Sequence, residues 1–187
     1  MRVLMLTDWR GRGGAAIAAE RLAQSLESLG HDVRWAYGRT TDMARGGSDR
    51  AARSLPAEAA VRLTGRFWPT ASRRMQQTQM VARLENVIRE CEPDVISVHN
   101  LHAVDLPATL PALLARRTPV VWTLHDMWAF TGGCTYSYDC DGYQRNCAGR
   151  CPQQIATRSG IKPALALARR RDALQRAGQF AAVTPSR

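Results

Sequence analysis

The stretch "RVLMLTDWRGRGGAAIAAERLAQSLESLGHDVRWAYG" (2–38) decides the fold. It opens on "RVLMLT" (2–7), a short apolar run ending at polar residues, which suits a strand buried on both faces. The glycine-bearing loop "DWRGRGG" follows. In "AAIAAERLAQSLESLG", Ala18, Leu22, Leu26 and Leu29 recur at helical spacing, and Gly30 stands where a C-terminal cap belongs. "HDVRWAYG" (31–38) then reads as a second strand. The unit is β-loop-α-β, with glycines at the loop-to-helix junction.

Working outward, residues 40–75 carry little pattern. "TTDMARGGSDR" reads as loop, "PAEAAVRLTGRF" as a short helix, and "RLTGRFWPTASRR" sets Phe67 and Trp68 among arginines as a surface excursion. In "QQTQMVARLENVIREC", Met80, Leu84, Val87, Ile88 and Cys91 fall on one helical face, so Cys91 reads as a core residue. "EPDVISVHN" gives a third strand ending at His99 and Asn100. A Leu-rich helix lies within 106–117, its start blurred by Pro107 and Pro111. "PVVWTLHD" (119–126) gives a fourth strand ending at His125 and Asp126. A helical pattern through "IKPALALARRRDALQRAG" and a last strand in "QFAAVTPSR" complete the chain. Strands alternating with helices predict an α/β fold: one Rossmann-like, doubly wound parallel sheet over 1–187, with a Cys-rich loop insertion at 131–153.

The formal charge of +10 raises nucleic acid as a partner. The positive charge is nearly all Arg, with Lys162 the one lysine, and it is spread along the chain; "RRR" (169–171) is the only tight run. A solvated helix face is the favoured reading of that run, and no nucleic-acid partner is expected. No apolar run reaches the roughly 18 residues a membrane span needs. The N-terminus meets Asp8 too early for a secretory signal, which places the protein in the cytoplasm, with peripheral contact at the inner face of the membrane open to a basic surface.

In sheets of this class ligands bind outside the carboxyl ends of the strands, where strand order reverses. Three strand ends carry polar groups: Thr7 and Asp8 with the glycine loop, His99 with Asn100, and His125 with Asp126. In the usual order these strands are central neighbours, so the groups are expected to converge on one cleft. "GRGGAA" (11–16) fits a dinucleotide-type glycine motif, whose helix-start N–H groups favour phosphate; a tight turn with close helix packing is the other reading. The second strand ends in Arg39 with no carboxylate, so a cofactor there would be of the NADP type. His125 is either a working imidazole or an inert, hydrogen-bonded one.

Cys134, Cys140, Cys147 and Cys151 are separated by five, six and three residues. Four cysteinates with no open position make a structural zinc, the favoured reading; two disulfides, free thiols or an iron–sulfur cluster are the alternatives.

These same residues resemble a family. "GGAA", "LGHDV", "PDVISVHNLHAV", "PVVWTLHDMWAFTGGC", the cysteine stretch ending "CPQ" and the terminal "VTPSR" are similar to the N-terminal half of retaining glycosyltransferases of the GT-B fold, in the family-4 group that includes exopolysaccharide and colanic-acid-type enzymes. The resemblance covers nearly the whole chain apart from 40–75, and Thr123 to Cys134 is its most specific part. The family often has Pro where this chain has Ala129, and His where it has Thr135; if that histidine joins a metal shell, its absence weakens zinc binding here.

The resemblance implies an acceptor-side domain that faces a separate donor domain holding a nucleotide-sugar. Gly13 and Gly14 would meet the donor's diphosphate. His125 would lie beside the transferred sugar with Asp126 orienting its surroundings, and His99, Asn100 and His102 would line the side of a glycan or lipid-linked acceptor. It implies no catalytic metal. Because the family's sequence continues past "TPSR" into the donor domain and its paired glutamates, the chain is expected to be a truncated piece of a polysaccharide-biosynthesis enzyme, inactive alone. An NADP-binding domain and a zinc-dependent nucleic-acid-binding module are the competing classes. The transferase reading alone accounts for the His-Asp, Gly-Gly and Cys elements together.

Overall fold

The computed structural model describes residues 1–8, 13–37, 69–101, 109–153 and 162–184, with the side chains of 69–76 left aside. Arg39, Phe67, Trp68, His102 and the helix expected within 56–67 therefore lie outside the described residues. The strands are β1 (Arg2–Thr7), β2 (Asp32–Tyr37), β3 (Val95–Val98), β4 (Val120–Thr123) and β5 (Phe180–Val183); the helices are α1 (Gly14–Ser28), α2 (Pro69–Cys91), α3 (Leu110–Leu114) and α4 (Pro163–Gln175). The sheet order is β2-β1-β3-β4-β5, and β1 with β2, β1 with β3, and β4 with β5 pair in parallel. This is the Rossmann-like α/β arrangement that the alternation of strands and helices predicts. The chain divides into two compact units, Met1–Pro107 and Ala108–Arg187.

In the first unit β1 is central, its Val3, Leu4, Met5 and Leu6 all at most 2% exposed. A strand flanked on both edges has no solvent-facing side, which is why its sequence is continuously apolar rather than alternating. Val3 and Met5 pack with Trp35 of β2 and with Ala19 and Ala23 of α1. The buried face of α1 is thus Ala16, Ala19 and Ala23, with Leu26 packed against the same core; of the expected stripe, Ala18, Leu22 and Leu29 turn outward instead, Leu22 39% and Leu29 73% exposed. Small side chains let the helix axis come close to the sheet, and the larger apolar residues are left to its flank. Helix α1 ends as expected: Gly30 takes φ +82°, its N–H donates to Glu27 O at 2.9 Å and that of His31 to Leu26 O at 3.1 Å. These two bonds satisfy the last carbonyls in a Schellman arrangement.

Helix α2 turns Leu84, Val87 and Cys91 inward, all at most 6% exposed. Burial holds the Cys91 thiol above its usual pKa, as fits a core residue. The helix begins at Pro69, earlier than its apolar pattern alone indicates. In the second unit Trp122 of β4 sits edge-on to Trp128 (6.3 Å) and to Phe180 of β5 (6.4 Å), and Leu167 of α4 is fully buried. Among the described residues no helix is long and apolar enough to cross a membrane.

Candidate functional site

In the first unit, β2 lies on one side of β1 and β3 on the other, so strand order reverses between β1 and β3. That is where a parallel sheet opens a crevice at its carboxyl end. The strand ends there are tied together: Asp8 N–H donates to Asn100 O at 2.8 Å and His99 N–H to Leu6 O at 2.9 Å. Asp8 is 5% and His99 2% exposed, with His99 Nε2 3.3 Å from Ser97 Oγ, while Asn100 is half-buried. His99 is therefore an interior residue that supports the strand end, and Asn100 is the more exposed member of the pair.

Gly13 caps α1 without a side chain, at φ +85° and ψ 162°. A non-glycine residue would be strained there. The first intrahelical bond is from Ile17 N–H to Gly13 O, so the amides of Gly14, Ala15 and Ala16 precede the helix's own hydrogen bonding. No acidic residue stands in the first turn. A Cβ added at Gly13 or Gly14 would meet nothing within 4 Å among the described residues. Among the described residues, close helix packing therefore does not explain these two glycines.

In the second unit β4 ends at Thr123, and Leu124 N–H still donates to Val183 O at 2.8 Å. His125 and Asp126 lie just past the strand, in a bend leading to a 3₁₀ turn at Trp128–Phe130. Asp126 Oδ1 accepts the Trp128 N–H at 2.8 Å, so this carboxylate fixes the turn after the histidine. Met127 N–H donates to Thr135 O at 2.9 Å, clipping the bend to the cysteine loop. That bond uses a backbone carbonyl and is indifferent to the side chain at 135. Burial pushes the half-buried His125 imidazole below its ordinary 6.5, with the Asp126 charge acting the other way. The imidazole is consequently neutral at neutral pH, with one ring nitrogen donating and the other accepting.

Of the adjacent glycines at 132–133, Gly132 has a packing role that residue type alone does not reveal. A Cβ on Gly132 would come within 2.5 Å of Pro163 Cβ and 3.0 Å of its backbone, so the loop passes against the first residue of α4. Thr131, fully buried, donates from Oγ1 to Cys134 O at 2.6 Å and accepts from Gly133 N–H at 3.3 Å.

None of the four loop cysteines is in a disulfide, and each is half-buried. Burial raises the Cys134 pKa, and the nearby Cys151 and Cys147 add to the rise. Gly142 N–H points at Cys140 Sγ at 3.4 Å, and Asn146 and Cys147 both take left-handed φ, +60° and +54°. Thiolates with N–H···S contacts are a donor set that suits zinc. As placed, however, no group of three or more His, Cys, Asp or Glu among the described residues could hold a metal ion. Side chains of α4 brace the loop instead: Arg171 donates to Asn146 Oδ1 and, at 3.4 Å, to Tyr143 O.

Arg170 is the residue that pattern reading misplaces. Of the run expected as a solvated face, Arg169 and Arg171 are exposed but Arg170 is 2% exposed. Its guanidinium donates to the carbonyls of Trp128, Ala129 (3.3 Å) and Thr131 (2.8 Å), and lies 4.2 Å from the Trp128 ring centroid. Burial pulls its pKa down to about 10, which leaves it charged at neutral pH. The available signal was periodicity: Leu167, Arg170 and Leu174 share one helical stripe.

The chain is similar to the colanic acid biosynthesis glycosyl transferase that WcaC of Escherichia coli (strain K12) is named as, at 30% identity over 73 residues, 35% of this chain and 18% of that protein. The match thus spans less than a fifth of its relative's length. No solved structure matches the chain significantly. The family model described as Glycosyltransferase Family 4 matches residues 12–186, taking in α1, every strand after β1 and the cysteine loop. With nearly its whole length matched, the chain belongs to Glycosyltransferase Family 4.

Proposed function

We propose that this chain is the acceptor-side half of a retaining sugar transferase, which moves a sugar from a nucleotide-sugar to a hydroxyl of a glycan or lipid-linked glycan. A separate donor-binding domain completes the site. The observation that carries this reading is His125: a neutral imidazole just past a strand's carboxyl end, on a bend locked by Asp126 and by the Met127–Thr135 bond. A neutral imidazole can donate to one sugar hydroxyl or accept from it without placing a full charge beside the developing oxocarbenium ion.

In the proposed reaction the anomeric C–O bond to the diphosphate breaks and its electron pair leaves with the diphosphate. The acceptor oxygen bonds to the anomeric carbon on the same face, and its proton passes to the departing diphosphate oxygen. Negative charge grows on the leaving group, so donors aimed at it lower the barrier. The open backbone at Gly13 and Gly14, with the α1 amides behind it, is assigned to that diphosphate. Asn100, supported by His99, is assigned to the acceptor, as is His102. The route calls on no catalytic metal.

A structural zinc is proposed for Cys134, Cys140, Cys147 and Cys151, with the loop drawing in around the ion, since binding and local folding are coupled at such sites. The nearness of Cys147 and Cys151 that Cys134 feels favours it. Metal analysis giving under about a tenth of an equivalent of zinc would end that part of the proposal.

The site of action is proposed to be cytoplasmic, at the inner face of the membrane when the acceptor is lipid-linked. The test of function is transfer from UDP- and GDP-sugars to polyprenyl-linked or free glycans. The 187 residues alone are expected to give no turnover, and the same residues joined to their donor domain are expected to turn over with retained anomeric configuration. Inverted product, or tight NADPH binding with no sugar transfer, would overturn the reading.

A further inference from the structure

We propose that Arg170 is a positioning residue: from α4 it clamps the backbone that follows His125 and so holds the imidazole in its working orientation. The inference rests on the reading of His125 given above. The geometry is specific. The carbonyls of Trp128, Ala129 and Thr131 leave the chain within four residues, and all three accept from the same Nη1 of Arg170. Three carbonyl dipoles turned toward one point repel each other unless a cation stands between them. The 3₁₀ turn at Trp128–Phe130 and the extended backbone at Thr131 (φ −109°, ψ 173°) therefore depend on that guanidinium for this shape.

Packing alone does not call for an arginine here. The position shares its stripe with Leu167, which is fully buried, and an aliphatic side chain would fill the same space without a buried charge. Among the described residues Arg170 Nε is buried with no hydrogen-bond partner, so the group is not optimised for stability. What the arginine adds is direction. The clamp reaches the histidine by a short route: Trp128 is held through its carbonyl by Arg170, its N–H is held by Asp126, and Asp126 adjoins His125. The Trp128 ring under the guanidinium closes the same circuit.

The test follows the His125 ring in the 187-residue protein by NMR, using histidine labelled at Cε1, in wild type and in the Arg170→Lys, Arg170→Met and Leu167→Ala variants. His31, in the first unit, is the internal control. In wild type His125 should give one signal, titrating below the ordinary 6.5. Arg170→Met should broaden or split that signal and bring its midpoint toward 6.5, with Arg170→Lys in between. Leu167→Ala, which loosens the same helix face without touching the carbonyls, should leave the His125 midpoint in place. An unchanged His125 in both Arg170 variants overturns the proposal, and so does an equal disturbance by Leu167→Ala. If Arg170→Met does not fold, Arg170→Lys against Leu167→Ala decides the matter.

In the enzyme joined to its donor domain, Arg170→Lys should lower kcat about 10- to 100-fold with KM within about twofold, the pattern of lost orientation. A shifted His125 titration with unchanged kcat would support the clamp and remove His125 from the reaction.

Discussion

Replacing Gly14 by Ala separates the two reasons a glycine can stand at the start of α1. If it were there for packing, a methyl would collide. The structure predicts no collision, since a Cβ at Gly14 meets nothing within 4 Å among the described residues. The backbone there is already helical, so alanine fits and loses less conformational freedom on folding. The expected gain is about 0.5–1 kcal/mol, or roughly 1–4 °C in Tm for a chain of this size.

Gly13→Ala should behave in the opposite sense. Among the described residues its surroundings are equally open, but φ +85° with ψ 162° is backbone that essentially only glycine adopts, at a cost to a side chain of about 1–3 kcal/mol. The two variants, one position apart, should therefore differ by roughly 1.5–4 kcal/mol. Urea unfolding followed by tryptophan fluorescence reads this directly. In the enzyme joined to its donor domain, Gly14→Ala should raise the donor KM at least about tenfold, because the methyl stands where a phosphate oxygen must approach the amides. A destabilised Gly14→Ala would show that the glycine serves packing. A stabilised variant with unchanged donor KM would detach Gly14 from the diphosphate.

Gly132→Ala forces a methyl to within 2.5 Å of Pro163 and should destabilise by about 1–3 kcal/mol in the same unfolding assay; a loss under about 0.5 kcal/mol would mean the loop shifts freely away from α4. For His125 the folded-state pKa lies below the unfolded 6.5, so the unfolded chain binds more protons between those two values. Its contribution to stability is accordingly present above pH 6.5 and is lost as pH falls from there toward the folded-state value. His125→Gln should flatten that part of the stability–pH curve, and an unaltered curve would contradict the burial argument.

The sheet was readable because its strands are short apolar runs ending in turn or polar residues, and β1, β3 and β4 all stand where those runs place them. The inward face of α2 was readable for the same reason, as its large apolar residues follow one helical stripe. The face of α1 was not. Its most hydrophobic stripe, Leu22, Leu26 and Leu29, competes with an alanine stripe, and a helix lying close on a sheet favours the smaller side chains.

Arg170 escaped for a related reason: three consecutive arginines look alike in sequence, yet a helix turns each about 100° from the last, so one of them can face inward. The packing role of Gly132 was equally hidden, because the approach of Pro163 comes from a distant part of the chain. The pairing of Asp126 with the Trp128 amide is a local turn preference that Asp just past a strand end already suggests.

The proposed role of His125 in sugar transfer is open to a direct assay: kcat for transfer from the nucleotide-sugar by the enzyme joined to its donor domain, wild type against His125→Asn, with folding verified by near-UV circular dichroism. In His125→Asn kcat should fall about 100-fold or more with the fold intact, the scale of a lost transition-state hydrogen bond. A correctly folded His125→Asn enzyme with kcat within about threefold of wild type, a difference under about 1 kcal/mol, would contradict it.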